Sequence, residues 1–114
     1  MAGAFLPWEE WIARLIHTLK VIIPRRLYQQ RRKRSLDISA KWPQTHGTVD
    51  KINWDSSYPR EEVVYFYSTQ QGYDSGFFWR WFDLSEVREV RAGDRITLRY
   101  DPDQHDRSVF VSLG

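Results

Sequence analysis

The stretch from Val63 to Phe82, VVYFYSTQQGYDSGFFWRWF, restricts the fold more than any other part of the chain. Two runs rich in Val, Tyr, Phe and Trp flank a polar break at Ser68-Thr69-Gln70-Gln71-Gly72. Aromatic and β-branched residues suit a pleated, half-buried surface, and breaks of this length that contain glycine close hairpins. The stretch therefore reads as a β-hairpin. Alternation puts Val63, Tyr65 and Tyr67 on one face of the first strand and Val64 and Phe66 on the other. In the return strand Tyr73, Phe77, Trp79 and Trp81 share one face, and Phe78 and Phe82 share the opposite one. Both faces are apolar or aromatic, so both call for cover.

Shorter strands surround the hairpin. The residue before a proline is pushed to extended geometry, so Trp42-Pro43 suits entry into a strand over Thr45–Ile52. Gly47 within it marks a bulge or the close approach of an aromatic ring. Asn53–Arg60 is a turn-forming loop. Asp83–Arg91 is a polar connection, with Asp83 and Ser85 able to cap one helical turn. After the turn at Ala92-Gly93-Asp94, Ile96, Leu98 and Tyr100 alternate inward along Arg95–Tyr100. Asp101-Pro102-Asp103 breaks that strand, and Val109, Val111 and Leu113 share one face of a last strand over Ser108–Leu113. Five strands with short links predict a mainly β body over residues 41–114, a small five-stranded antiparallel barrel or sandwich.

The front end, residues 1–40, has a different grammar. Pro7 stands where a helix begins, and Glu9 and Glu10 in the first turn complement the helix dipole. Trp8, Trp11, Ile12, Leu15, Ile16, Leu19, Ile22 and Ile23 then recur at helical spacing, and Pro24 ends the pattern. An amphipathic α-helix over Pro7–Ile23 would be about 25 Å long at about 1.5 Å per residue. A hydrocarbon core is about 30 Å thick. Arg14 near the middle would cost about 2.5–3.5 kcal/mol on insertion. A helix lying in an interface or docked on protein fits better than one that spans. The acidic residues before the apolar run, and the lack of a small-residue cleavage site after it, also argue against a signal peptide.

A basic run follows: Arg25, Arg26, Arg31, Arg32, Lys33 and Arg34. Residues 1–41 hold nine Lys/Arg against three Asp/Glu, a net +6, while residues 42–114 hold eight against twelve, a net −4. Such asymmetry points the front end towards an anionic surface. Lipid headgroups, nucleic-acid phosphate or plain solvent could all accept the run.

Several short motifs come in a familiar order: Trp42-Pro43, Gly47-Thr48-Val49, Tyr65-x-Tyr67, then Gly93-Asp94-Arg95-Ile96-Thr97-Leu98-Arg99-Tyr100-Asp101-Pro102, and Ser108-Val109-Phe110. Over roughly residues 41–111 the chain resembles a bacterial family catalogued as a domain of unknown function, number three-five-nine-two. The resemblance implies a small β domain tied to a membrane, usually through transmembrane helices, and implies no catalytic residue. The charged, amphipathic helix departs from that pattern.

The residues themselves offer little chemistry. No cysteine is present, which excludes disulfides, thiolate metal sites and a cysteine nucleophile. His17, His46 and His105 lie in different elements without metal-ligand spacing. Glu61 and Glu62 are neighbours on a strand and so point to opposite faces. Asp101, Asp103 and Asp106 echo a calcium loop only loosely, since Asp106 stands where the glycine belongs and Ser112 where the bidentate Glu belongs. The aromatic cluster could stack bases or sugars, yet a body of net −4 suits single-strand binding poorly.

The expected function is thus a non-enzymatic, membrane-associated interaction module, an accessory or assembly subunit of a membrane complex on the cytoplasmic side, without cofactor or metal. Its docking residues would be Trp8, Trp11, Ile12, Leu15, Leu19, Ile22 and Ile23. Its anionic-surface contacts would be Arg25, Arg26, Arg31, Arg32, Lys33 and Arg34, and its partner surface Tyr65, Tyr67, Trp79 and Trp81. The alternative is a nucleic-acid-binding protein using residues 25–34.

Overall fold

The computed structural model describes the backbone of residues 7–82 and 89–114, and their side chains apart from those of residues 7, 8 and 17–21. The expected Asp83–Ser85 capping turn lies outside the described residues. Among the described residues one helix, α1 (Pro7–Ile38), precedes five strands: β1 (Gln44–Asp55), β2 (Arg60–Thr69), β3 (Gly72–Trp81), β4 (Arg95–Tyr100) and β5 (Ser108–Leu113). The strands form a single antiparallel sheet in the order β3-β2-β1-β4-β5. A single sheet is not a sandwich; this one curls into a half-barrel. Its edge strands β3 and β5 face each other without pairing. Phe78 and Phe110 stack across the seam with ring centroids 3.7 Å apart, and the Tyr65 hydroxyl lies 2.6 Å from Ser108 Oγ.

The concave face holds the core: Val49, Val63, Tyr65, Tyr67, Phe78, Val90, Ile96, Leu98 and Phe110. Its composition follows from register. Val63 lies opposite Phe78, and Tyr65 opposite Gly76. A Cβ on Gly76 would sit 2.5 Å from the Tyr65 hydroxyl and 2.6 Å from Ser108 Oγ. Only glycine lets the phenol cross beneath β3 to reach β5. Gly47 meets no aromatic ring, contrary to expectation. A Cβ there would strike Leu98 Cδ2 and the carbonyl oxygen of Phe66, each at 2.8 Å, and the bulge falls instead between Val49 and Lys51.

The strands run further than their apolar runs suggest. β1 continues to Asp55 and β2 begins at Arg60, so the loop expected over Asn53–Arg60 shrinks to a tight turn. Asp55 closes that turn by accepting from the Ser57 amide at 2.9 Å and from Arg60 Nε at 2.8 Å. These hydrogen bonds hold its carboxyl below the usual carboxylate range, the Arg60 bond first. At the other end, Gln70 and Gln71 form a two-residue turn into Gly72, which has φ +121°. The turn before β4 uses Gly93 at φ +92°, and Asp94 Oδ2 accepts from the Arg91 amide at 2.8 Å.

α1 departs most from the sequence reading. It does not end at Ile23 but runs through Pro24 to Ile38. A proline in a helix interior costs about 3 kcal/mol or more. Contacts beyond it offset that cost. Arg32 donates through Nη1 to Phe110 O and through Nη2 to Val111 O at 3.1 Å. Arg99 Nη1 donates to Leu36 O at 3.2 Å, satisfying a terminal helix carbonyl. Ser39, fully buried, donates its hydroxyl to Ser35 O at 2.7 Å.

Candidate functional site

Docking divides α1 into two unlike faces. Tyr28, Arg32, Ser35 and Ser39 recur at spacings of four, three and four, which is one side of a helix. That side meets the body: Tyr28 tilts against Trp81 with centroids 6.3 Å apart, and Arg32 lies over Phe110. At about 100° per residue, Ile12, Leu15, Ile16 and Ile23 fall on the opposite side, with Trp11 on its flank. All five are exposed, Trp11 by 65% and Ile16 by 46%. Further along the same outward side stand Arg26, Lys33 and Arg34, also exposed. The helix thus presents an apolar stripe and then a basic one, both turned away from the half-barrel. Ile22 is half-buried, and the side chains of Trp8 and Leu19 lie outside the described residues.

The six basic residues are not equivalent. Arg26, Arg31, Lys33 and Arg34 are exposed, while Arg25 and Arg32 are half-buried. Arg32 is a structural contact of β5 and does not face outward. Its guanidinium covers two edge-strand carbonyls that would otherwise face water.

Of the four aromatics expected to form a partner surface, three do not. Tyr65, Tyr67 and Trp81 are each at most 2% exposed. Tyr65 and Tyr67 point into the half-barrel because their strand register puts them opposite Gly76 and Asp74. Trp81 is on the convex face but is covered by Tyr28 and Tyr58. Trp79 alone is partly open. Arg60 lies over its ring at 3.8 Å and pairs with Asp55. The exposed aromatics of the hairpin are instead Phe66, Tyr73, Phe77 and Phe82.

Burial shapes the two core phenols. It pushes the Tyr65 hydroxyl up to about 12, against the opposing effect of the Ser108 hydrogen bond. It also raises Tyr67, whose hydroxyl donates to His105 O at 2.6 Å. Neither phenol is open to solvent, so the shifts reflect packing.

Glu61, Glu62, His46, His105 and Asp101 have structural partners. Glu61 pairs with Arg80 at 3.3 Å across the β2–β3 ladder. Glu62 accepts from Asn53 Nδ2 at 3.0 Å on the other face. His105 Nδ1 lies 2.8 Å from Thr69 Oγ1, with its ring edge-on to Tyr100, while His46 Nδ1 lies 3.5 Å from Thr97 Oγ1. Asp101 Oδ1 accepts from the Asp103 amide at 2.9 Å, so this side chain shapes the β4–β5 loop. Among the described residues no three His, Asp or Glu side chains gather as a metal site. Among them, too, no helix is long and apolar enough to cross a membrane.

Comparison with family models, with curated proteins and with solved structures finds no match. The geometry alone therefore carries the functional reading. Sequence periodicity found the apolar stripe. It did not find the face of α1 that docks, because Tyr28, Arg32, Ser35 and Ser39 carry no common chemical signature.

Proposed function

We propose that this chain is a non-enzymatic, membrane-associated interaction module, an accessory or assembly subunit of a membrane complex. The observation that carries the reading is the placement of the apolar and basic stripes on one side of α1, with the half-barrel on the other. A helix of this kind lies in the bilayer interface with its apolar side down. Burying Trp11, Ile12, Leu15 and Ile16 would contribute about 1.5–3 kcal/mol each. Arg26, Lys33 and Arg34 would add about 1 kcal/mol each near anionic headgroups. Lysine and arginine beside apolar segments favour the cytoplasmic side, where anionic lipids concentrate. The half-barrel is then held off the bilayer, where Phe66 and Tyr73 are free to meet a protein partner.

Nucleic-acid binding through residues 25–34 makes the opposite demand on the stripe. Phosphate binding needs cations and weakens steeply with salt, with no need for Trp11 or Leu15. The wild type should sediment with vesicles of phosphatidylcholine and phosphatidylglycerol, and Trp11→Glu with Leu15→Glu should abolish this. Salt at about 0.5 M, where screening acts over only a few ångströms, should release the wild type only in part. Full release by salt, or vesicle binding retained by the double variant, would overturn the interfacial helix. Salt-sensitive RNA or DNA binding by that variant would then favour the nucleic-acid reading.

A further inference from the structure

Between the C-terminal half of α1 and the seam of the half-barrel lies a groove of about 450 Å³. Leu27, Phe77 and Trp79 give it apolar walls, and Arg31, Arg32 and Arg60 line it. Among the described residues no acidic side chain does. The three arginines are held differently. Arg60 is clamped by Asp55 at 2.8 Å and by the ring of Trp79. Arg32 is tied to the β5 carbonyls. Arg31 is exposed and has no hydrogen bond or ion pair among the described residues.

We propose that this groove binds an oxyanion-headed amphiphile, a single alkyl or acyl chain ending in phosphate or carboxylate. Arg31 takes the head and the chain lies along Phe77 and Trp79. Three observations converge on that chemistry. The lining is cationic without a neutralising carboxylate other than the one already paired to Arg60. A guanidinium fork suits phosphate and carboxylate oxygens, and Arg31 is free to offer it. Phe77, 57% exposed, is a large apolar surface left open beside those charges, and the cavity has the size of a small-molecule site. The inference goes beyond the membrane reading and does not depend on it, because the groove opens on the docked side of α1 and the apolar stripe faces away.

Calorimetric titration of the full chain with octyl phosphate, below its micelle concentration, tests this. Octyl phosphate should bind one to one, at least about tenfold more tightly than octyl glucoside or inorganic phosphate. Octanoate serves as the carboxylate arm, and its affinity relative to octyl phosphate tells which head the site prefers. Arg31→Glu should weaken binding by about tenfold or more, and Phe77→Ser should weaken it as well. Both residues are exposed, so both variants should fold. Equal binding of octyl glucoside or of inorganic phosphate, or wild-type affinity in both variants, overturns the proposal. Trp11→Glu with Leu15→Glu should titrate as wild type, so failure of vesicle binding and failure of the groove are separate results.

Discussion

Single residues set the local terms of this fold, and Tyr65 shows how. Its phenol passes under Gly76 to Ser108, joining β2 to β5 across the seam. Burial keeps it protonated to about 12, whereas an unfolded tyrosine ionises near 10. The folded state therefore holds its proton longer. The stabilisation is complete below about pH 10 and is lost as pH rises towards about 12. Tyr65→Phe should lower stability at neutral pH by about 1 kcal/mol through the lost hydrogen bond. It should also flatten the loss between about pH 10 and 12. Urea unfolding followed across alkaline pH reads both effects, and parallel pH slopes in wild type and variant would show that Tyr65 is not the group responsible.

At the scale of elements, the helix is decided by what it touches. Pro24 is a stop signal that tertiary contacts override, because Arg32 and Arg99 fix the chain beyond it. Arg32→Ala should strip two β5 carbonyls of their donor and remove the cation from the face of Phe110. The expected cost is about 1–3 kcal/mol, and the second half of α1 should fray before the sheet unfolds. Hydrogen exchange should show residues 25–38 losing protection while β1 and β2 keep theirs. Unchanged protection in the helix would mean that Arg32 does not hold it.

For the whole molecule, the question is where the β body ends. The half-barrel and the second half of α1 share contacts, whereas the side chains of residues 9–16 are all exposed. The molecule extends 70 Å along its longest axis but only 27 and 21 Å along the others, as a projecting helix requires. Removing residues 1–23 should leave a cooperative melt close to that of the full chain, with vesicle binding gone. Removing residues 1–40 should lower the midpoint by several degrees, because it takes away Tyr28, Arg32 and Ser39, and about 1 kcal/mol moves a domain of this size by about 4–8 °C. Equal melts for the two truncations would place the whole helix outside the folding unit.

The hairpin, the strand at Arg95–Tyr100, the strand at Ser108–Leu113 and the apolar stripe of α1 were all legible in the sequence. Each is a local repeat, of period two or near 3.6, written in the residues that form it. The tertiary structure alone decided four things: that α1 continues past Pro24, that Arg32 turns inward, that Tyr65, Tyr67 and Trp81 are buried, and that a cationic groove opens beside Phe77. Each depends on residues far apart in the chain meeting in space. A periodic pattern gives the face on which a side chain lies. What covers that face is fixed only when the sheet curls and the helix is laid against it.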